Sequence, residues 1–290
     1  VRLGRFGLWD FRLRYGDPAA VAEAAAEAEE LGYSALWIPD VGGDVLGSVE
    51  TLLGATRKAV VATGILNIWM HEASDVAARR ASWGQDWRSR FLCGLGVSHA
   101  ALIDRDEPGR YQRPLARMRA YLDALDSAPV PLPASDRVLA ALGPRMLALA
   151  RDRAAGAHPY NVTPAHTAQA REVLGSDRIL APEQAVVLET DKDAARTLAR
   201  AHLSIYLGLE NYANNLLRLG FDEDDLSGGG SDRLVDALVP WGDAASVARR
   251  VHEHLDAGAD HVCVQVVTSD AGEAPRRAWR ELAGALGLAN

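Results

Sequence analysis

Cysteine is scarce in this chain: there are two among 290 residues, Cys93 and Cys263. Both fall inside apolar runs. Buried free thiols are therefore expected rather than a disulfide, and this usage suits a reducing cytoplasm. Paired cysteines at zinc-ligand spacing are absent. No apolar stretch reaches the ~18 residues that a membrane span needs, and Val1 to Gly7 reads as a strand, not a signal peptide. Positive charge is in deficit, with 31 Lys and Arg against 39 Asp and Glu and a net charge of -8. That balance argues against a nucleic-acid or acidic-membrane partner. Walker loop, nucleophile elbow, solenoid repeat and long low-complexity tract are all missing. A metal site is not expected. His252 and His254 are two apart on a helix and point to different faces. His71-Glu72 and His158 stand near strand ends without partners at ligand spacing. The acidic run Asp222 to Asp225 reads as a solvated turn.

What is present is a rhythm. Phe6–Trp9, Ala35–Ile38, Ala59–Leu66, Phe91–Leu95, Val138–Leu142, Ala157–Val162, Ile179–Leu188 and His261–Val267 read as short apolar strands. Alanine-rich amphipathic stretches separate them. Strand and helix alternating about eight times predicts an α/β fold, a (βα)8 TIM barrel. With 48% hydrophobic residues the chain can fill one large core, and a barrel needs roughly 250 residues, so 1–290 reads as a single domain. Asp17 and Pro18 open a helix with Val21, Ala24, Ala25, Ala28 and Leu31 on one face, and Gly32 stops it. Asp243 and Gly258 bracket a second helix in the same way. One segment breaks the rhythm. Residues 194–238 hold Tyr206, Asn211, Tyr212, Asn214, Asn215 and the glycines 228–230, too much for one connecting helix. Two or three helices and a flexible turn are expected there, as a lid over the mouth or as a subunit contact.

A barrel of this kind carries its chemistry just beyond the C-terminal ends of its strands. Leu142-Gly143-Pro144-Arg145 joins a strand to a helix start. Free N–H groups there favour a phosphate, with Arg145 as a second contact; the alternative is an ordinary turn. Gly94-Leu95-Gly96-Val97-Ser98-His99 sets Ser98 and His99 toward the mouth. His99 can carry a proton near neutral pH or be purely structural. Trp37-Ile38-Pro39-Asp40 offers a carboxylate to a polar ligand, or a cap. In Thr63-Gly64-Ile65-Leu66-Asn67-Ile68-Trp69, a glycine inside a strand marks a bulge or a close ligand. Trp9 and Trp69 would line an apolar substrate pocket or be simple core, with His158 near the same rim.

These pieces, in order, resemble the bacterial luciferase-like monooxygenase superfamily, and within it the coenzyme F420-dependent oxidoreductases. Phe6-Gly7-Leu8-Trp9, Leu36 to Asp40, Ala62 to Trp69, Arg90-Phe91-Leu92 and Gly94 to His99 carry the resemblance. So do Arg113-Pro114-Leu115, Leu139 to Pro144, Gly156 to Tyr160 and Ala257 to Val262. It covers nearly the whole chain. It implies a deazaflavin across the strand ends, with FMN as the alternative cofactor. It also implies a bulge in the third strand with a non-prolyl cis peptide at Gly64–Ile65 behind the ring. Thr63, Gly64, Ile65 and Ser98 would then border the cofactor, Asp40 would contact its ring region, and Gly143, Pro144 and Arg145 would take its phosphate. Arg110 and Arg113 are further candidates for its acidic tail. The implied activity is hydride transfer to or from a small organic substrate, in a homodimer, with His99 and Asp40 as catalytic groups. A monooxygenase using reduced FMN and dioxygen is the runner-up, and a non-catalytic ligand-binding barrel the third reading. Two departures stand out. Sugar-phosphate dehydrogenases of this type carry a histidine after the aspartate, and Val41 stands here. They carry a glutamate where His99 stands. Ser82 to Ser89, with Trp83 and Trp87, is less regular than the family's helix at that point.

Overall fold

Ten short strands, all paired parallel, run through the computed structural model, which describes residues 1–105, 107–270 and 272–288. They are β1 (Phe6–Trp9), β2 (Ala35–Ile38), β3 (Val60–Thr63), β4 (Leu66–Asn67), β5 (Phe91–Gly96), β6 (Arg137–Leu139), β7 (Gly156–Ala157), β8 (Ile179–Leu180), β9 (Glu183–Val186) and β10 (Val262–Val266). The spatial order is β8-β7-β6-β5-β3-β2-β1-β10-β9, with β4 also beside β5. Two of the eight expected strands are each split. The third divides into β3 and β4 around Gly64–Ile65, and the seventh into β8 and β9 around Ala181–Pro182. The ring closes through the second split. Ala181 N donates to Ala157 O (2.9 Å), Glu183 N to Pro159 O (2.8 Å) and Cys263 N to Pro182 O (2.9 Å). Pro182 has no N–H to give, which interrupts the ladder there. The result is the expected TIM-barrel-like fold.

Side chains alternate across the sheet, as the twofold period of a strand requires. Ala35, Trp37, Val60, Ala62, Leu92, Val138, Ala181 and Cys263 pack inside the ring. Leu36, Ile38, Val61, Phe91 and Val264 face outward against helix residues such as Val21, Val49, Leu122 and Leu282. Cys93 and Cys263 are buried free thiols. Asp17 caps the helix Pro18–Glu30 by accepting from Ala19 N and Ala20 N, and Asp243 caps Ala244–Asp256 through Ser246 N. Within Ser82 to Ser89 only Trp83 is buried: it packs against Phe91, and its Nε1 donates to Glu50 Oε1 (2.6 Å). No helix among the described residues is long and apolar enough to cross a membrane.

The fifth and sixth strands are shorter than their apolar runs, because residues 140–142 and 158–162 leave the ladder to build the mouth. Between β9 and the helix Ala244–Asp256 come four α-helices, Lys192–Leu207, Glu210–Arg218, Glu223–Leu226 and Asp232–Leu238, one more than expected. Ala195, Ala199, Leu203, Leu216, Leu234 and Val235 give them a core of their own, joined by Ala185 and Val187. The acidic run is no plain turn. Asp222 and Asp225 form a reciprocal helix cap, and Asp225 also holds Arg233 and Ser231. Glycines 228–230 form a tight turn at positive φ.

Glu29 ties a helix end to the entry of β3, accepting from the N–H groups of Arg57 (3.0 Å), Lys58 (2.7 Å) and Ala59 (2.6 Å). Burial acts to raise its pKa, but these donors outweigh it and hold the carboxyl below its ordinary value. Its contribution is therefore present above the unfolded pKa of about 4.3 and lost as pH falls through the lower folded value. Discounted for solvent screening, Glu29→Ala is expected to cost about 1 kcal/mol at pH 7. Urea unfolding at pH 7 and pH 3 checks this, and the two proteins should draw together at the acid end.

Candidate active site

The mouth is organised by the split third strand. The Gly64–Ile65 peptide is cis. Beside it, Thr63 Oγ1 donates to Gly94 O at 2.8 Å. A Cβ on Gly94 would overlap the Thr63 carbonyl oxygen, and one on Gly96 would overlap the Ile65 side chain. The two glycines of β5 are what let the bulge sit against it. On the other side Trp9 Nε1 donates to Gly64 O at 2.9 Å. His158 is buried under the same glycine, its ring stacked on Trp37 at 4.3 Å. Its Nδ1–H donates to Ala181 O at 2.7 Å, leaving Nε2 as a lone-pair acceptor without a partner. Burial pushes the His158 pKa down to about 4, so the ring is neutral at pH 7.

Asp40 is buried, and protein groups already engage it. One oxygen accepts from Asn67 N (3.0 Å) and His71 Nε2 (2.8 Å); the other lies 3.3 Å from Arg14. Arg14 also bonds Pro39 O and Gly42 O. His71, which sequence reading left without a partner, is thus the partner of Asp40. Spacing along the chain gave no signal of it, because the pair forms across two strand ends. No metal-type cluster exists among the described residues.

His99 follows Ser98, whose φ is +55°. Its Nδ1–H donates to Asn211 Oδ1 at 2.9 Å and its ring lies 5.4 Å from that of Tyr212. Burial lowers its pKa and the Asn211 bond acts the other way, so a neutral ring with the lone pair on Nε2 is favoured. Both partners come from the helix Glu210–Arg218, which therefore reaches the strand ends. So does Tyr206: its hydroxyl meets that of Tyr160 at 3.0 Å, and Tyr160 also donates to Gln265 Oε1 at 2.8 Å. The rings of Trp9, Tyr160, Tyr206 and Tyr212 form a continuous cluster with neighbouring centroids 5.2 to 5.4 Å apart. The rim is covered by aromatic rings rather than open. Two clefts of about 480 and 510 Å³ lie on the outer surface around Arg276 and Arg280.

The remaining corner is cationic. Gly143 precedes the helix Pro144–Arg153, whose N-terminus has no side-chain cap. A Cβ on Gly143 would lie 3.8 Å from Arg218 Nη2. Arg218 donates to the side-chain Oδ1 of Asn215 at 3.4 Å, and no carboxylate pairs with it among the described residues. Arg145 is exposed at the same turn, as is Pro144. Arg110 is engaged elsewhere, by Trp69 O (2.5 Å) and Glu107.

A family model for luciferase-like monooxygenases matches residues 3–261. The chain belongs to that family. No curated protein matches it in sequence. Among solved structures it is similar to an F420-dependent secondary alcohol dehydrogenase in complex with an F420–acetone adduct, with 14% identity, a TM-score of 0.74 and 100% of each chain covered. It is also similar to the F420-dependent tetrahydromethanopterin reductase of Methanopyrus kandleri, at 18% identity and a TM-score of 0.69, covering 97% of this chain and 98% of that one. A third is the oxygenating constituent of 3,6-diketocamphane monooxygenase from Pseudomonas putida, a type II Baeyer–Villiger enzyme in complex with FMN. It shows 12% identity and a TM-score of 0.66, covering 98% of this chain and 96% of that one. At these identities the likeness is one of fold.

In this luciferase-like barrel the expected residues form four groups. Trp9, Thr63, Gly64, Ile65 and His158 surround the bulge. Asp40 stands with His71 and Asn67, next to the turn of Trp69, whose Nε1 donates to Val97 O (2.8 Å) and whose ring lies under Arg117. Gly143, Pro144 and Arg145 form the anion corner. Ser98 and His99 lie under the insertion. Arg218, Glu183 and Asn161 were missed. Glu183 did leave a trace: it is the one carboxylate in the run Ile179–Leu188.

Proposed function

We propose that this luciferase-like protein is an oxidoreductase that moves a hydride between coenzyme F420 and a small organic substrate. One observation carries the reading: the bulge at Gly64–Ile65 that splits the third strand at the mouth, pressed against the glycine-spaced β5. Two others support a planar phosphate-bearing cofactor. An uncapped helix N-terminus stands beside Arg218, which no carboxylate meets, and the buried His158 Nε2 has no partner, both among the described residues. When bound, the deazaflavin supplies the hydride chemistry. Gly143 and Arg218 would hold its phosphate, with Arg145 nearby. Thr63, Gly64 and Ile65 would back its ring, with Ser98 beside them. Asp40, fixed by His71 and Arg14, would orient the ring's polar edge. His99 Nε2 is free to take or return a proton. The aromatic cover would exclude water once substrate is enclosed, and Trp9 and Trp69 would give the pocket apolar walls. In this reading the chain is one barrel domain with its insertion at about 194–238. It works in the cytoplasm as a homodimer, with neither nucleic acid nor membrane as partner.

The test is a titration of the purified protein with F420 and with FMN, followed by quenching of tryptophan fluorescence. F420 is expected to bind, and Arg218→Ala to weaken it about tenfold, the loss of one charge-assisted contact. His99→Ala should lower turnover while leaving that affinity unchanged. Binding of FMN alone transfers the reading to a monooxygenase using reduced flavin and dioxygen. Binding of neither leaves a ligand-binding barrel without redox chemistry.

A further inference from the structure

The floor of the mouth holds polar groups that the reading above does not use. Glu183 opens β9 with its side chain turned inward and fully buried. Its Oε2 accepts the Asn161 N–H at 3.1 Å, while Oε1 has no partner. Asn161 is itself buried, with φ at +53°, and both its side-chain Oδ1 and Nδ2 lack partners. The bond from the Asn161 N–H makes the two residues neighbours, and between them they leave three buried side-chain polar atoms without a partner among the described residues. Native interiors rarely leave such atoms unpaired without a reason. Tyr160 is next in sequence, tying this spot to the aromatic cluster and to Trp9.

We propose that Glu183 and Asn161 form the subsite for the oxygen of an uncharged small molecule, a ketone, aldehyde or alcohol. The proposal rests on the oxidoreductase reading and names its substrate class. Burial pushes the Glu183 pKa up to about 8, with the Asn161 N–H acting weakly the other way. The carboxyl is therefore protonated at neutral pH. Because Oε2 accepts from Asn161, the proton belongs on Oε1, the atom without a partner. Oε1–H and Asn161 Nδ2 are two donors for a carbonyl oxygen, and Asn161 Oδ1 is an acceptor for a hydroxyl. The titratable groups facing Glu183 are Tyr160, Tyr206, Tyr212 and Cys263, each pushed up in pKa by burial first and by the Glu183 charge as well. All are neutral near pH 7, and no cation stands among them. An anionic substrate would lose its water there without gaining a counter-charge.

The experiment uses cofactor-free protein with 13C-carboxyl glutamate, titrated at pH 6.5 with 2-butanone, 2-butanol and butanoate. The ketone and the alcohol are expected to shift the Glu183 resonance, and butanoate to leave it in place. Glu183→Leu should weaken ketone binding about tenfold or more. Glu183→Gln, which keeps a donor, should retain binding within a few-fold. Ketone binding by the unmodified protein should fall as pH rises through about 8, where the donor is lost, and should be flat for Glu183→Gln. No shift at Glu183, equal response to butanoate, or unchanged binding in Glu183→Leu would overturn the proposal. F420 and FMN titrations of the same samples separate the two readings. Cofactor binding without a ketone response defeats the subsite alone. A ketone response at Glu183 without cofactor binding retains the subsite and removes the redox role.

Discussion

Gly94→Ala is expected to cost about 4 kcal/mol or to leave no folded protein. The added methyl would meet the Thr63 carbonyl oxygen well inside van der Waals range. That oxygen belongs to the backbone and cannot rotate aside. The strands on both sides are pinned, with Val61 opposite Phe91 and Ala62 opposite Leu92, then Leu66 opposite Leu95 and Asn67 opposite Gly96. Relief would require the bulge to move bodily, so the mouth would lose its shape along with its stability. Gly54→Ala is the control. It lies on an exposed helix face with its nearest neighbour, Trp87, at 3.8 Å. There the change should stabilise by roughly 0.5–1 kcal/mol. Urea unfolding of the two variants should move in opposite directions; equal midpoints would refute the close-approach argument.

Asp40→Ala should cost about 3 kcal/mol, because it strands a buried cation. Arg14 and Asp40 both have side chains almost wholly out of solvent. Without the carboxylate, Asn67 N and His71 Nε2 also lose their acceptor. Burial would raise the pKa of Asp40. The hydrogen bonds from His71 and Asn67 and the charges of His71 and Arg14 outweigh it and hold the carboxyl below its ordinary value. Its stabilisation is thus complete above the unfolded pKa of about 3.9 and disappears as pH falls through the lower folded value. Asp40→Asn, which keeps an acceptor, should fall between the two. Thermal unfolding at pH 7 and below pH 3 decides the matter, and a gap that persists in acid would show that the loss is not electrostatic.

The barrel was legible because its signals are local. Apolar runs of strand length, Asp17 and Asp243 at helix starts, and Gly32 and Gly258 past helix ends all act within a few residues. The bulge at Gly64 was legible for the same reason, a glycine in an otherwise apolar strand. What sequence could not give was contact between distant segments. His71 meets Asp40 across 31 positions, Asn211 meets His99 across 112, and Arg218 approaches Gly143 only once the insertion has folded. The Tyr and Asn content of residues 206–215 marked that segment as a lid or a subunit contact, but not which of its rings would meet Tyr160 and His99. Strand ends were overestimated at Leu142 and Val162 because apolar residues there serve the rim rather than the ladder.

The helices between Lys192 and Leu238 close on a nucleus of their own, joined by Ala185 and Val187, and reach the strand ends through Tyr206, Asn211 and Tyr212. They behave structurally as a cassette seated between β9 and the helix Ala244–Asp256. Replacing that cassette would change what faces the bulge while the strand pairing beneath it stayed as it is. Substrate preference in such a protein can therefore diverge by exchange of one contiguous stretch, without renegotiating the ring that holds the chemistry.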